Sequence, residues 1–331
     1  MDIFTEPLDP EDVRLFSGRS NPELAQNIAD LLGIPLAETH VARFSNDNLY
    51  VQLGASVRSR KVYIVQSLVP PVSDHLVELL MMLDIAKGAA AREVHAIIPY
   101  FSYARSDKKD APRISITARL VADLLKTAGA THVMTMRLHS AQTHGFFSVP
   151  ADPLTARGLF VDYFQQHQFD PADTVVVAPD VGSAKSAGRF AESLGLPVAA
   201  AYKTRLSDSN VHIGGLVGRQ VRGFKRAIIH DDEIATGGTV VELCRLLLDN
   251  GVEDIHIVCT HGLFLGKAKE RLGAIPQIRE IVSTDTVPLP LERRLPNMVT
   301  LSSAPVFAGA IRHNYFRRSI GEFFAFWDEE R

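Results

Sequence analysis

The amino-acid sequence predicts an α/β protein in which mainly parallel sheets are flanked by helices. Short β-branched runs alternate with longer helical patterns along most of the 331 residues, and this alternation is typical of parallel strands joined by helical crossovers. The predicted strands are apolar without polar alternation, which indicates that both faces are covered. Several helical patterns end at glycine, a common C-terminal stop of a helix.

The elements fall into two series, which predicts two domains of about 150 residues each. Two prolines in segment 146–158 separate the series, so we expect domains at 1–153 and 154–303. The predicted strands are 61–68, 93–100, 132–138, 174–180, 226–232, 254–262 and 280–287. The predicted helices are 75–89, 116–129, 186–195 and 240–251.

Composition and charge exclude several classes of function. Hydrophobic residues make up 46% of the chain and charged residues 22%, with a net charge of −3. This balance predicts no nucleic-acid partner and no membrane partner. Residues 1–16 lack the apolar segment of a signal peptide, and no apolar run approaches the ~20 residues that span a bilayer. We therefore expect a cytoplasmic protein, in which Cys244 and Cys259 are small buried residues.

The stretch RAIIHDDEIATGGTVVELC (226–244) carries most of the chemistry. A β-branched strand leads into Asp231 and Asp232, and the turn Thr236–Thr239 then opens an apolar helical pattern. Ligands of open α/β sheets bind beyond the carboxyl ends of strands. Gly237 and Gly238 allow a tight turn, and the following helix directs N–H groups and a positive dipole end at a ligand. The turn therefore suits a phosphate monoester.

The two acids need a different ligand from the turn. No lysine follows the glycines, so the turn is not a Walker A loop. Adjacent carboxylates repel a phosphate, and ribose hydroxyls or a phosphate-bound Mg²⁺ fit them better. The sequence therefore indicates a site for a phosphorylated sugar.

Two acids followed by Ala-Thr-Gly-Gly-Thr resemble the phosphoribosyl pyrophosphate (PRPP) loop of type I phosphoribosyltransferase folds. Other segments occur in the order found in the ribose-phosphate pyrophosphokinase family: 43–52, 62–67, 98–109, 116–125, 138–147, 175–182 and 295–312. The resemblance runs from about residue 14 to about residue 325. It implies two type I phosphoribosyltransferase-like domains, with a C-terminal helix at about 304–331 packing back on the first.

The resemblance implies transfer of diphosphate from Mg-ATP to the 1-hydroxyl of ribose 5-phosphate, giving PRPP and AMP. It assigns catalysis to a basic pair, Lys203 and Arg205, since diphosphoryl transfer needs cations on the migrating charge. In the family this pair lies on a mobile loop. The ribose 5-phosphate residues would be Asp231, Asp232, Ala235, Thr236, Gly237, Gly238 and Thr239.

The same resemblance implies a nucleotide site, a metal and effectors. Mg²⁺ would be held by His139 and Asp180. Phosphate and ADP would act as effectors, and the chain would form a homo-oligomer, a hexamer built from dimers. The ATP-binding residues would be Phe44, Asn46, Asn48, Arg105, Ser106, Asp107 and His139.

Most departures from the family pattern lie at or beside the predicted nucleotide-binding residues. Asn46 and Asn48 stand where the family has acids, and Ser106 stands where a glutamine follows the ATP-gripping arginine. Arg137 replaces an aspartate two residues before His139, which changes the local charge by two. Ala235 replaces an aspartate common in the synthetases. The ribose-phosphate side otherwise keeps the family pattern.

Two other functions remain open on these residues. The first is a non-catalytic or regulatory homologue that binds ribose phosphates or nucleotides; retention of Lys203 and Arg205 argues against it. The second is a phosphoribosyltransferase that consumes PRPP and a base. The two-domain length and the segment PYFSYAR (99–105) fit that enzyme poorly.

Overall fold

The computed structural model describes residues 7–205, 211–218 and 221–324, without the side chains of 203–205 and 211–218. The chain divides into two compact units. Within the described ranges, the first unit comprises residues 7–155, 286–288 and 302–324, and the second comprises the described parts of 156–285 and 289–301.

The first unit is built on a six-stranded parallel sheet in the order β2-β1-β5-β6-β7-β8. A separate antiparallel hairpin is formed by β3 and β4. In chain order the elements are β1 (Val13–Ser17), α1 (Pro22–Leu32), β2 (Leu36–Ala37), β3 (Thr39–Arg43), β4 (Leu49–Leu53), β5 (Lys61–Val65), α2 (Val72–Gly88), β6 (Glu93–Ile98), α3 (Thr117–Ala128), β7 (His132–Met136) and β8 (Ala151–Leu154).

The sequence patterns explain why these elements form. All five residues of β5 and of β7 are buried, as expected for strands covered on both faces. Helix α1 begins at Pro22, and the Asn21 side chain accepts a hydrogen bond from Leu24 N. It ends at Gly33, whose left-handed backbone (φ 69°) is a common helix stop.

The second unit has a seven-stranded sheet in the order β11-β10-β9-β12-β13-β14-β15. All neighbours are parallel except β10 and β11. In chain order the elements are α4 (Arg157–Gln165), β9 (Thr174–Ala178), α5 (Ala184–Ser193), β10 (Val198–Arg205), β11 (Val211–Gly218), β12 (Arg226–Ile234), α6 (Gly238–Asp249), β13 (Asp254–Gly262), α7 (Ala268–Gly273), β14 (Ile278–Thr284) and β15 (Met298–Leu301).

The C-terminal helix α8 (Ala304–Tyr315) belongs to the first unit. Arg312 Nη2 donates to the Leu31 carbonyl at 3.1 Å, which joins α8 to the end of α1. The Tyr63 hydroxyl of β5 donates to Asn314 Oδ1 at 2.9 Å. The chain therefore returns to its first sheet after the second unit is complete.

The α/β class, with two mainly parallel sheets flanked by helices, is confirmed. The seven predicted strands correspond to β5, β6, β7, β9, β12, β13 and β14. Strand β12 extends to Ile234, past the predicted end at 232, because it continues to pair with β13. Cys244 and Cys259 are both buried. In the part of the chain that the structure describes, no helix has the length and apolar character needed to cross a membrane.

Candidate active site

Three acids lie at the carboxyl edge of the second sheet. Strands β9 and β12 are parallel neighbours, with Ile229 paired to Val177. Asp180 follows β9 by two residues, and Asp231 and Asp232 lie on the last part of β12. The carboxyl edge of a parallel sheet is where α/β proteins bind ligands. The fold therefore collects these three carboxylates where the sequence predicted them to act.

The electrostatics of Asp231 reflect this crowding. Burial of its carboxyl group, followed by the charge of Asp232 and a smaller effect of Asp180, raises its pKa well above the ordinary value. One oxygen of Asp231 accepts a hydrogen bond from Asp232 N at 2.8 Å. A carboxylate surrounded by other carboxylates is stabilised by a cation or by hydroxyl donors. The site therefore suits either a cation or a ligand with hydroxyl donors.

Asp180 also organises the turn that follows β9. Its Oδ1 accepts from Ser183 N at 2.9 Å and from Ser183 Oγ at 3.0 Å. This N-cap arrangement starts the short 3-10 turn Val181–Ser183 that leads into α5. The side chain thus has a structural role in the turn as well as a position beside the acids of β12.

The predicted phosphate loop, Ala235–Thr239, leaves β12 and opens α6. Gly237 has a left-handed backbone, with φ 73°, and α6 begins at Gly238. The first intrahelical bond is Val241 N to Gly237 O at 3.0 Å, so the N–H groups of the preceding residues point away from the helix. Leu265 N donates to the Ala235 carbonyl at 2.7 Å and anchors the loop. The loop has the geometry of an anion cradle.

Arg271 of α7 was not identified from the sequence. Its Nη1 donates to the Thr236 carbonyl at 3.1 Å, which places a guanidinium beside the phosphate loop. The available signal was the basic run Lys267–Arg271 after β13, which by itself is typical of a solvated helix face. Only the fold brings α7 against the loop that leaves β12.

Lys203 and Arg205 lie on β10 as far as their backbone is described, and their side chains fall outside the described part of the chain. Strand β10 pairs with β9 over Val198–Ala200. Beyond Ala200, the described pairing of β10 is with β11, with a register shift between Tyr202 and Lys203. The pair was expected on a loop; its backbone is instead on a strand of a two-stranded ribbon, because β11 supplies hydrogen-bonding partners.

In the first unit, Phe44, Asn46 and Asn48 form the tip of the β3–β4 hairpin. Phe44 is 55% exposed and packs edge-on against Tyr50, with ring centroids 5.8 Å apart. Asn46 Oδ1 accepts from Asn48 N at 3.3 Å, closing the tight turn. An exposed phenylalanine on a hairpin tip is available for stacking on a planar ligand. Sequence reasoning without the family resemblance would have placed this ring in the core.

The other predicted nucleotide residues lie in two loops of the first unit. Arg105 and His139 are exposed. Ser140 Oγ donates to Asp107 Oδ2 at 2.6 Å, so the structure brings the 105–107 loop to the 137–140 turn. Ser106 Oγ donates to the Ser115 carbonyl at 3.3 Å and accepts from Thr117 N at 3.4 Å. Ser106 therefore holds the start of α3.

Arg137 follows β7 directly and has a strained backbone. Its φ is 35°, in the left-handed region that non-glycine residues rarely adopt, while its N–H donates to the Leu154 carbonyl at 2.9 Å. The side chain is half-buried, two residues before His139. The guanidinium of Arg137 adds positive charge where the family pattern has a carboxylate.

The residues of the second unit fit a magnesium ion. Mg²⁺ prefers oxygen ligands, and Asp180, Asp231 and Asp232 offer carboxylate oxygens at this end of the sheet. Burial and the charges of Asp232 and Asp180 raise the pKa of Asp231, so a bound cation would stabilise its ionised form. His139 offers an imidazole nitrogen, which Mg²⁺ favours less than oxygen. The carboxylate cluster is therefore the better supported part of the predicted metal site.

Two protein-family models match parts of this chain. The family model of the N-terminal domain of ribose phosphate pyrophosphokinase matches residues 13–129. The phosphoribosyl synthetase-associated domain matches residues 213–325. Together the two models reach into both units and include the phosphate loop.

Full-length relatives agree with the family models. The ribose-phosphate pyrophosphokinase of Deinococcus radiodurans is 45% identical over 94% of this chain and 97% of its own length. That of Caldanaerobacter subterraneus subsp. tengcongensis is 43% identical over 94% and 98%. The crystal structure of phosphoribosylpyrophosphate synthetase from Mycobacterium smegmatis matches with a TM-score of 0.86 and 38% identity, covering 92% of this chain and 99% of that one. The chain belongs to the ribose-phosphate pyrophosphokinase family.

Proposed function

We propose that the protein is a ribose-phosphate diphosphokinase, which transfers diphosphate from Mg-ATP to the 1-hydroxyl of ribose 5-phosphate and releases PRPP and AMP. The observation that carries this proposal is the pairing of Asp231 and Asp232 with the glycine loop at the carboxyl edge of the second sheet. Relatives with this activity in their names match nearly the whole chain. That agreement favours the enzyme over a non-catalytic homologue.

Two groups of residues bind the two ends of ribose 5-phosphate. The N–H groups of Thr236–Thr239 and the α6 dipole receive the 5-phosphate. Asp231 and Asp232 accept hydrogen bonds from the ribose hydroxyls, which supplies the donors that the crowded carboxylates need. The sugar is thereby held at both ends, and its 1-hydroxyl is oriented for attack.

Asp180 and the β12 acids would hold Mg²⁺ in the second unit, and the resemblance also implies a metal-binding role for His139 of the first unit. When bound, the ion neutralises phosphate charge and orients the transferred group. The chain's own contribution is to fix the carboxylates: Ser183 restrains Asp180, and the Asp232 N–H restrains Asp231. Such restraint lowers the reorganisation needed during the reaction.

Lys203 and Arg205 act on the migrating diphosphate. Diphosphoryl transfer asks little covalent chemistry of the protein and depends on positioning and on cations near the transferred charge. The resemblance assigns both residues to this step, and their backbone lies at alternate positions of β10. The nucleotide is bound by Phe44, Asn46, Asn48, Arg105, Ser106, Asp107 and His139.

Assembly, effectors and location belong to the proposal as well. The family resemblance supports a homo-oligomer, a hexamer by that resemblance, with phosphate and ADP as effectors. The charge balance, which predicts no membrane partner, supports a cytoplasmic location. Sedimentation of the purified chain, with and without phosphate, checks the oligomeric state.

The catalytic role of Lys203 is tested by separating turnover from binding. Lys203→Ala is expected to lower kcat by about 100-fold or more while the Kd of ribose 5-phosphate changes little, because removing one transition-state contact has that effect. Rapid-quench AMP formation and calorimetric ribose 5-phosphate binding give the two values. Arg58→Ala, an exposed arginine of the first unit, is the control. Equal losses in kcat and binding would contradict the role.

The nucleotide side is tested with ATP, GTP and CTP as donors at several Mg²⁺ concentrations. We expect ATP to give ribose 5-phosphate-dependent AMP. No nucleoside monophosphate from any donor, together with intact ribose 5-phosphate binding, would instead identify the non-catalytic homologue.

A further inference from the structure

Two histidines and a glutamate meet at the opposite edge of the second sheet from the proposed active site. His256 is the third residue of β13, Glu280 is the third residue of β14, and the two are paired in register. His167 follows the end of α4 by two residues. One potential ligand atom from each of the three side chains lies within 4.8 Å of the other two.

Both histidines contact the same carboxylate oxygen of Glu280. Glu280 Oε1 lies 2.8 Å from His256 Nδ1 and 2.9 Å from His167 Nε2. The other oxygen, Oε2, accepts a hydrogen bond from the Tyr163 hydroxyl at 2.6 Å. His167 Nδ1 is 3.3 Å from the Tyr163 carbonyl. Both ring nitrogens of His167 therefore face oxygen atoms.

This cluster offers several lone pairs to a cation. A neutral histidine presents one ring nitrogen as an acceptor, and the Glu280 carboxylate offers further lone pairs. His167 Nε2 and His256 Nδ1 lie 2.9 Å and 2.8 Å from Glu280 Oε1. A metal ion bound by these atoms would replace their mutual contacts with coordinate bonds.

We propose that His167, His256 and Glu280 form a site for a divalent transition metal ion, with Zn²⁺ as the best-fitting ion. Two imidazoles and one carboxylate are a common Zn²⁺ ligand set, whereas Mg²⁺ prefers oxygen alone. Tetrahedral bonds of about 2.0–2.1 Å put ligand atoms about 3.3 Å apart. The contacts of 2.8 and 2.9 Å reach that spacing with small movements of the side chains.

The surroundings hold the three ligands in place. Tyr163 fixes the second oxygen of Glu280, an outer contact of the kind that orients metal ligands. Phe169 stacks on the His167 ring at 5.3 Å and meets the His256 ring edge-on at 5.0 Å. His256 is buried, and His167 retains 28% exposure of its side chain. The metal therefore has an entry path from solvent and an apolar wall behind it.

The site has a structural consequence that does not depend on the proposed function. It would tie the end of α4 to the amino-terminal ends of β13 and β14, far along the sheet from Asp180 and Asp231. A metal that binds the folded chain and not the unfolded chain raises stability by mass action. We expect Zn²⁺ to raise the Tm of the full-length protein.

Calorimetry on the chelator-treated, full-length protein tests the site. Zn²⁺ is titrated in the presence of saturating Mg²⁺, which occupies the carboxylates of the active site. We expect one Zn²⁺ per chain that Mg²⁺ does not displace. Replacing Zn²⁺ by Co²⁺ should give the intense visible absorption of a four-coordinate ion. Absence of a site under saturating Mg²⁺ would overturn the proposal.

Variants locate the ion. His167→Ala removes a partly exposed ligand and is expected to weaken Zn²⁺ binding by at least about 100-fold, since even outer-shell losses cost 10–100-fold. The control is His40→Ala, an exposed histidine 3.4 Å from Glu38. Asp231→Asn should retain the Zn²⁺ site. Unchanged binding in His167→Ala, or lost binding in Asp231→Asn, would show that Zn²⁺ binds elsewhere and would overturn the proposal.

Discussion

Gly237 holds the phosphate loop in a conformation that other residues adopt at a cost. Its φ is 73°, and a Cβ there would lie 3.5 Å from Leu272 Cγ, so space is adequate and backbone strain dominates. Gly237→Ala is expected to lower the free energy of unfolding by about 1–2 kcal/mol. It should also raise the KM for ribose 5-phosphate, because the loop N–H groups shift.

Gly188 of α5 provides the matched control for Gly237. It has no positive φ, and among the described residues no atom beyond its own helical turn lies within 4 Å of the position of an added Cβ. Gly188→Ala is expected to raise the free energy of unfolding by about 0.5–1 kcal/mol and to leave the KM unchanged. Urea unfolding and steady-state kinetics measure both variants. A stabilised Gly237→Ala with normal KM would contradict the role given to this turn.

Arg137 is expected to weaken metal binding near His139. Its guanidinium brings positive charge to a place where the family pattern has a carboxylate, and local charge decides how well a cation is held. Arg137→Asp should therefore lower the Mg²⁺ concentration that gives half-maximal activity. Arg58→Asp makes the same charge change at an exposed position of the same unit. An identical Mg²⁺ dependence in wild type and Arg137→Asp would contradict this account.

The contact between α7 and the phosphate loop gives Arg271 a testable function. Its bond to the Thr236 carbonyl fixes the loop, and its charge lies beside the proposed phosphate position. Arg271→Ala should raise the Kd of ribose 5-phosphate about 10-fold, equivalent to roughly one charge-assisted hydrogen bond. Arg279→Ala removes an arginine bonded to Asp254 at 2.6 Å and is the control. Equal Kd values for both variants would exclude the function.

A chain of four titratable side chains crosses strands β6, β7 and β8. Glu93 Oε2 is 3.1 Å from His95 Nε2, His95 Nδ1 is 3.0 Å from His132 Nδ1, and His132 Nε2 is 2.6 Å from Asp152 Oδ2. Tyr63 stacks on His95 at 4.3 Å. Burial lowers the pKa of His95, and the hydrogen bond from His95 is the main cause that lowers the pKa of Glu93 to about 2.

Acid is expected to destabilise the first unit through these groups. As the pH falls through the ordinary histidine pKa of 6.5, the unfolded chain takes up a proton that buried His95 resists, so the free energy of unfolding decreases. Below pH 4.5 the stability contributed by the Glu93 carboxylate is lost as well, down to about pH 2. His95→Gln should flatten the decline between pH 7 and 5 in urea unfolding. His40→Gln is the control; identical slopes for wild type and His95→Gln would contradict this.

Much of the architecture could be predicted because its signals are local. Buried β-branched runs such as Lys61–Val65 identify parallel strands, and the acids and glycines of 231–239 carry their chemistry within a few residues. Strands β3 and β4 escaped prediction because they are short and largely exposed. They are defined by pairing with each other in the hairpin at Thr39–Leu53.

The residues that sequence reasoning missed are joined only by the fold. Glu280 is 24 residues from His256 and 117 residues from Tyr163, so no spacing motif connects them. From the sequence alone Arg271 is a typical surface arginine, whereas the fold places it against the loop that follows β12. Conversely, the sequence alone suggests that Phe44 is a core residue, whereas it is exposed at the hairpin tip. Contacts of this kind arise from tertiary packing, which no local pattern records.

The central claim is that diphosphate moves as one unit from ATP to the sugar. The most direct test incubates the protein with Mg²⁺, ribose 5-phosphate and ATP labelled in the γ-phosphate, and then separates the products. The account predicts unlabelled AMP and an equal amount of PRPP that carries the label in its terminal phosphate. Label recovered as inorganic phosphate or on a singly phosphorylated 1-hydroxyl, with ADP as the nucleotide product, would contradict it.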